Sequence, residues 1–176
     1  MTDERVVVIP YDPDWPRRFE AERALLARVL APWLAGDIHH VGSTAVPGLA
    51  AKPIIDMMAG VCDLAAARAA FGALAARGYV HAPHRPSIAH HFAKPSIQVS
   101  EARYGLHLTE PGSDLWRERL AFRDALRGDA ALAAEYGALK LRLAQEHAAD
   151  LAAYTTGKRK LVGRVLARAG LTFGRR

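Results

Sequence analysis

Between Gly42 and Asp56 the chain sets a Gly42-Ser43-Thr44 turn, one lysine, Lys52, and one acid inside an apolar run, Ile54-Ile55-Asp56-Met57-Met58. The turn follows an apolar residue, Val41, and precedes enough chain for one helical turn. That arrangement offers backbone N–H groups and hydroxyls to an anion. Lys52 lies close enough in sequence to reach Asp56 or a phosphate beside it. An acid in so apolar a setting costs stability unless a partner or an ion offsets it. An anion-cradling turn, a lysine and a buried acid together point to a phosphate site.

Further along, Lys94, Arg123, Lys140 and Lys158 each stand among apolar residues, where a cation either closes over an anionic ligand or snorkels to solvent. Arg123 has a neighbouring acid, Asp124, and also reads as a bridge between helices. Tyr154 offers a ring and a hydroxyl near Lys158, for a base or for core packing. His40 adjoins the turn, and His90 and His91 share a predicted strand; these read first as hydrogen-bonded structural residues. His81, His84 and His147 read as surface residues. Other chemistries lack their residues: there is no GxGxxG, Walker loop, GxSxG elbow or HExxH.

The elements that must position these residues follow from periodicity. Val6 to Ile9 reads as a first strand, and Asp14 as the cap of a helix carrying Phe19, Leu26 and Leu30, ended near Pro32 and Gly36. Asp37 to Val41 is a strand feeding the turn. Pro53 to Val61 is a strand with both faces covered, because its apolar run is nearly continuous. Asp63 caps a helix through Arg77, stopped by Gly78. Strands are expected at Tyr79-Val80, Ala89 to Lys94, Ile97 to Ser100 and Tyr104 to Thr109. After Pro111-Gly112 the period turns helical, predicting helices over Leu115–Arg127, Ala131–Ala149 and Gly157–Ala169. Asp129 caps the second and Gly170 stops the third. The fold class is α/β followed by a helical part. The expected organisation is one domain over 1–176, with an α/β core to about 110 and helices from about 111.

Composition narrows the setting. The chain has 176 residues, 51% apolar and 24% charged, with one cysteine, Cys62. No intramolecular disulfide or cysteine zinc cluster can form, and a cytoplasmic home with no membrane span is expected. The net charge of +6 is uneven: the first 150 residues hold 17 basic against 18 acidic side chains, and the last 26 hold seven basic and no acid. A basic tail suits RNA, but it lacks the interleaved aromatics that stack on bases, so nucleic acid ranks behind small ligands.

The Gly42-Ser43 helix start, followed after 12 residues by Asp56 on a strand, resembles the signature of the DNA polymerase β-like nucleotidyltransferases. With His40–Asp56 (HVGSTAVPGLAAKPIID), FRDALR at 122–127, EYGALK at 135–140 and YTTGK at 154–158, the chain resembles the GrpB family, also called UPF0157, over nearly its whole length. That resemblance implies a small mixed sheet of nucleotidyltransferase type with C-terminal helices. It also implies a triphosphate on the Gly-Ser turn and, in the wider superfamily, two divalent ions on strand carboxylates. Lys94 falls at a family position, and the family is in some cases fused to dephospho-CoA kinase.

One residue departs from the superfamily pattern. A second acid belongs two residues after Asp56, and Met58 stands there. The later strand supplies His107 as the remaining metal-facing candidate. Either Asp56 with His107 holds one ion, Mn, Zn or Mg, rather than two, imidazole being a poor donor to Mg, or the site holds none. The expected site is Gly42, Ser43, Thr44, Lys52, Lys94, Arg123, Lys140, Tyr154 and Lys158 for phosphate or nucleotide, with Asp56 and His107 for chemistry or metal. Three functions compete: nucleotidyl transfer to a small-molecule or protein hydroxyl, a non-catalytic or regulatory module tied to CoA metabolism, and an RNA-associated protein.

Overall fold

The computed structural model describes residues 5–172. Five strands form one sheet in the order β1-β2-β5-β4-β3. They are β1 (Leu34–Val41), β2 (Ile55–Val61), β3 (Val80–His81), β4 (His90–Lys94) and β5 (Tyr104–Thr109). β2 and β5 pair in parallel, and the other three pairings are antiparallel. The mixed sheet has two faces with different tasks.

One face is the main core. Ile55, Met57, Ala59 and Val61 of β2 and Leu106 and Leu108 of β5 point into it, as the alternation of a strand requires. Against them pack Trp15, Phe19, Leu26 and Leu30 of α1 (Trp15–Leu30), together with Leu74 of the short α2 (Phe71–Ala75). β2 reads as continuously apolar because Met58 on the opposite face is also fully buried.

The other face carries Asp56, Met58 and Gly60. It is flanked by α3 (Asp114–Gly128), α4 (Ala130–Glu146), α5 (Leu151–Gly157) and α6 (Arg159–Arg168). Ser113 caps α3 through Trp116 N, Asp129 caps α4 through Leu132 N, and Asp150 caps α5 through Ala153 N. A second apolar cluster joins Val46 and Leu49, in the β1–β2 connection, to Leu126, Leu132, Tyr136, Leu161 and Val165. The loop that bears the Gly-Ser turn is thereby clamped to the helices.

Several expected elements differ. Val6 to Ile9 forms no sheet strand: Ile9 makes an isolated bridge with Ala51, and Val6 N–H donates to the Ala148 carbonyl. Ile97–Ser100 is turn, closed by the Glu101 and Ala102 N–H groups on the Gln98 carbonyl. The helix expected from Asp63 starts as a 3-10 turn over Ala66–Ala70, and only Phe71–Ala75 is α-helical. Asp14 does not cap α1; its carboxylate takes the Arg17 guanidinium instead. The last predicted helix forms as α6, and a short helix outside the expectation, α5, precedes it and meets it at Lys158.

Candidate functional site

Gly42 ends β1 at φ +70°, a conformation that disfavours a side chain, and opens a 3-10 turn over Ser43–Ala45. Val41, the last residue of β1, pairs with Asp56, which puts Gly42 beside that carboxylate. A Cβ on Gly42 would lie 2.7 Å from Asp56 Oδ2, and a Cβ on Gly105, its partner on β5, 2.6 Å from Oδ1. Two glycines on adjoining strands therefore leave the space that this carboxylate occupies. Burial pushes the Asp56 pKa up, while Arg119, Lys52 and Lys158 pull it down.

Lys52 and Lys158 act on that carboxylate, and both act on Lys140. Lys158 Nζ lies 4.3 Å and Lys52 Nζ 5.6 Å from the centre of the Tyr154 ring. Lys140 Nζ lies 4.8 Å from the centre of the Tyr136 ring. Such cation–π contacts replace part of the lost hydration. Burial, then Lys158 and Lys52, brings Lys140 down to about 7. Burial, then Lys52, brings Lys158 down to about 8, against the pull of Asp56. Lys52 falls as well through burial, with Asp56 opposing. Lys140 is 2% exposed and donates to the Ala50 carbonyl, so it holds the connecting loop and contributes field. Lys52 and Lys158 are half-buried and keep open surface.

Two site residues were missed in the sequence. Arg119, exposed on α3, acts electrostatically on Asp56, Lys158, His107 and Tyr136. Tyr136 meets Ser43; its burial pushes the phenol up to about 12, with Ser43 and Arg119 restraining the rise. Signals for both existed. Arg119, Arg123 and Arg127 recur every fourth residue on one helix face, as do Tyr136 with Lys140 and Tyr154 with Lys158. Arg123 donates to the His40 carbonyl and pairs with Asp124, while Arg127 donates to the Ala45 carbonyl. That stripe laces α3 to the turn, with Arg119 at the end nearest Asp56.

Two expected phosphate ligands do other work. Thr44 Oγ donates to the Ile54 carbonyl at 3.1 Å and lies 2.9 Å from His40 Nε2. Its single proton is thus committed, which makes His40 Nε2 the donor to it. His40 stacks on Phe19 and is driven down to about 4 by burial, so it stays neutral. Lys94 is on the α1 face, where its ammonium meets Glu22 Oε1 at 2.7 Å, beside the Tyr79 hydroxyl on the same oxygen. Strand alternation aims it away from Asp56.

His107 lies opposite Met58 on β5, one pleat along from Gly105. It is diagonal to Asp56 on the same face. Its Nδ1 is buried without a hydrogen-bond partner, and burial holds it well below the ordinary imidazole range. For the two-ion arrangement of the nucleotidyltransferases the donor chemistry does not fit: Met58 stands at the second acid, and the groups facing Asp56 are cations that oppose dications.

The whole described length has relatives. The family model for the GrpB protein matches residues 5–168. The glutamate-rich protein GrpB of Alkalihalophilus pseudofirmus is 32% identical over 92% of this chain and 94% of its own length. A UPF0157 protein of Deinococcus radiodurans is 37% identical over 94% of this chain and 84% of its own. A dephospho-CoA kinase of Mycolicibacterium paratuberculosis is 36% identical over 65% of this chain, a match that spans 27% of that protein. The crystal structure of conserved protein GrpB from Enterococcus faecalis superposes with a TM-score of 0.83 at 29% identity, covering 93% of this chain and 99% of that one. The fold is the nucleotidyltransferase-like α/β arrangement with a helical C-terminal part. By family model, relatives and fold alike, the chain belongs to the GrpB family.

Proposed function

We propose that the chain binds a nucleotide or another phosphorylated small molecule against the Asp56 face, its phosphates between the Gly42-Ser43 turn, Lys52, Lys158 and Arg119. One observation carries this: two lysines and an arginine act on a single carboxylate, and both of those lysines act on a third, Lys140. Lysines that lower one another's pKa are costly in the free protein, and a polyanion relieves that repulsion. Ser43, facing Tyr136 and free of the ties that occupy Thr44, is the hydroxyl best suited to a phosphate oxygen.

If the protein catalyses, the reaction this reading supports is nucleotidyl transfer to a hydroxyl of a small molecule or protein. Its residues would then hold the phosphates, neutralise developing charge and exclude water. A single divalent ion, Mn, Zn or Mg, would use Asp56 and the ligand's own oxygens, with the neutral His107 imidazole a further donor for Mn or Zn. The second reading is a binding or regulatory module without turnover. The surplus of cations over acids at the site favours it, and the similarity to a dephospho-CoA kinase supports trying CoA precursors as its ligands. No helix among the described residues is long and apolar enough to cross a membrane, and we place the activity in the cytoplasm with other phosphorylated metabolites.

A thermal-shift panel tests the proposal, using nucleoside triphosphates, CoA precursors and phosphate with Mg, Mn, Zn or none. Ligand at 100 times its dissociation constant stabilises by about 2.7 kcal/mol, which moves the melting temperature of a chain of this size by roughly 5–10 °C. Pyrophosphate release from a triphosphate, lost in Asp56→Ala, would identify a transferase. Stabilisation without turnover would identify the binding module. No shift with any phosphorylated compound would refute both.

A further inference from the structure

The face that bears Asp56 continues away from the lysines as a row of imidazoles. His39 of β1 is opposite Met58 of β2, Met58 is beside His107 of β5, and His107 is opposite His91 of β4. Directly paired residues share a face, so the row crosses four strands in register. Met58 is fully buried, so the part of the row that can meet a planar ring is His107 and His91, on strands spaced about 4.8 Å apart. The His107 and His91 rings pack edge-on with centres 4.4 Å apart, and His39 meets Trp116 at 4.9 Å. His39, His91 and His107 are each half-buried and retain open surface.

This floor suits a ring rather than a phosphate. Burial lowers all three histidines, His91 to about 4, so the row is uncharged at neutral pH and presents imidazole rings, Met58 between His39 and His107 being fully buried. It is also continuous with the cation cluster. Arg119 acts on His91 and His107 on one side and on Asp56 and Lys158 on the other. A ligand with a charged end and a planar end matches the two halves in that order.

We infer that the ligand is a nucleotide, its phosphates among Lys52, Lys158 and Arg119 and its base against the His107 and His91 rings. This rests on the phosphate-site reading above. It places the base on imidazole rings from two neighbouring strands and makes Arg119 the residue at the junction of base and phosphates. Stacking of this kind tolerates every base, so the floor selects for a ring over no ring more than for one base over another.

The test compares adenosine triphosphate with inorganic triphosphate, which carries the same phosphates and no base. The nucleotide is expected to bind about ten-fold or more tightly and to shift the His91 and His107 ring resonances in NMR spectra. Inorganic triphosphate is expected to leave those resonances in place. The ratio of the two affinities should collapse in His91→Ala and recover in His91→Phe, which restores a planar face. Equal affinities with unmoved imidazole signals would overturn the inference while leaving the phosphate site standing. Failure of both compounds to bind would remove the phosphate site and the floor together.

Discussion

Lys140→Met is the substitution whose outcome follows most directly from the geometry. The methionine keeps the length of the stem in its buried channel and removes the ammonium. In the wild type that ammonium has a pKa near 7 in place of the ordinary 10.5, through burial and the repulsion of Lys158 and Lys52. A base whose folded pKa is depressed costs stability below that pKa, and the cost fades as pH rises toward the unfolded value. Between pH 7 and 9.5 the wild type should therefore gain on the variant by about 1.36 kcal/mol per unit, or about 3 kcal/mol in all. The constant offset is the Ala50 carbonyl left without its donor, about 1–3 kcal/mol. At pH 6 relief of the buried charge outweighs that loss, and Lys140→Met should be the more stable protein. By pH 9.5 the order should reverse. Urea titrations of both proteins at half-unit steps read this directly, provided phosphate is kept out of the buffers. A difference that stays flat from pH 6 to 9.5 would refute the depressed lysine and the crowding that causes it.

Three further outcomes follow from neighbouring contacts. Asp56→Asn should tighten metal-free binding of pyrophosphate several-fold by calorimetry, since the carboxylate is the acid at the centre of the cation cluster, and should abolish whatever part of binding depends on a divalent ion. Gly105→Ala should cost about 1–3 kcal/mol, as an overpacked site does, because the new methyl meets Asp56 Oδ1; in a double-mutant cycle most of that cost should vanish when Asp56 is alanine. Thr44→Val should cost about 1–3 kcal/mol in chemical unfolding, by stranding the His40 Nε2–H in the core, with triphosphate affinity changed by less than the stability.

What the sequence disclosed and what it hid divide along one physical line. Local rules found the turn at Gly42, the caps Asp129 and Gly78, and the doubly covered strand around Asp56, because each is decided by residues close in sequence. The parallel pairing of β2 with β5 brings Gly105 and His107 beside Asp56 and Met58 across almost fifty residues of chain, and no local pattern states that register. Nothing local singles out Arg119 among the α3 arginines, because only the docking of α3 on the sheet brings it to Asp56. Lys94 misled for the converse reason. It has the right residue type, but β4 alternation turns it to the α1 side, where Glu22 waits. The strand expected at Ile97–Ser100 failed locally, because Ser96 Oγ accepts from the Gln98 N–H and closes a turn before an extended strand can start. The basic tail was legible only as charge: Lys158 points inward to the site and Arg164 is held by Glu135, while Arg175 and Arg176 lie outside the described residues.

The central claim is that the lysines around Asp56 form an anion site. Calorimetric titration of pyrophosphate at pH 8, in two buffers of different ionisation enthalpy, tests it most directly when wild type is compared with Lys158→Met. Lys158 near 8 and Lys140 near 7 are then partly or largely deprotonated in the free protein. Binding should draw protons from the buffer, so the observed heat should differ between the two buffers and the affinity should fall as pH rises from 7 to 9. Lys158→Met should lose most of that affinity and part of the proton uptake. Binding with the same heat in both buffers, or an affinity that Lys158→Met leaves intact, would contradict the account.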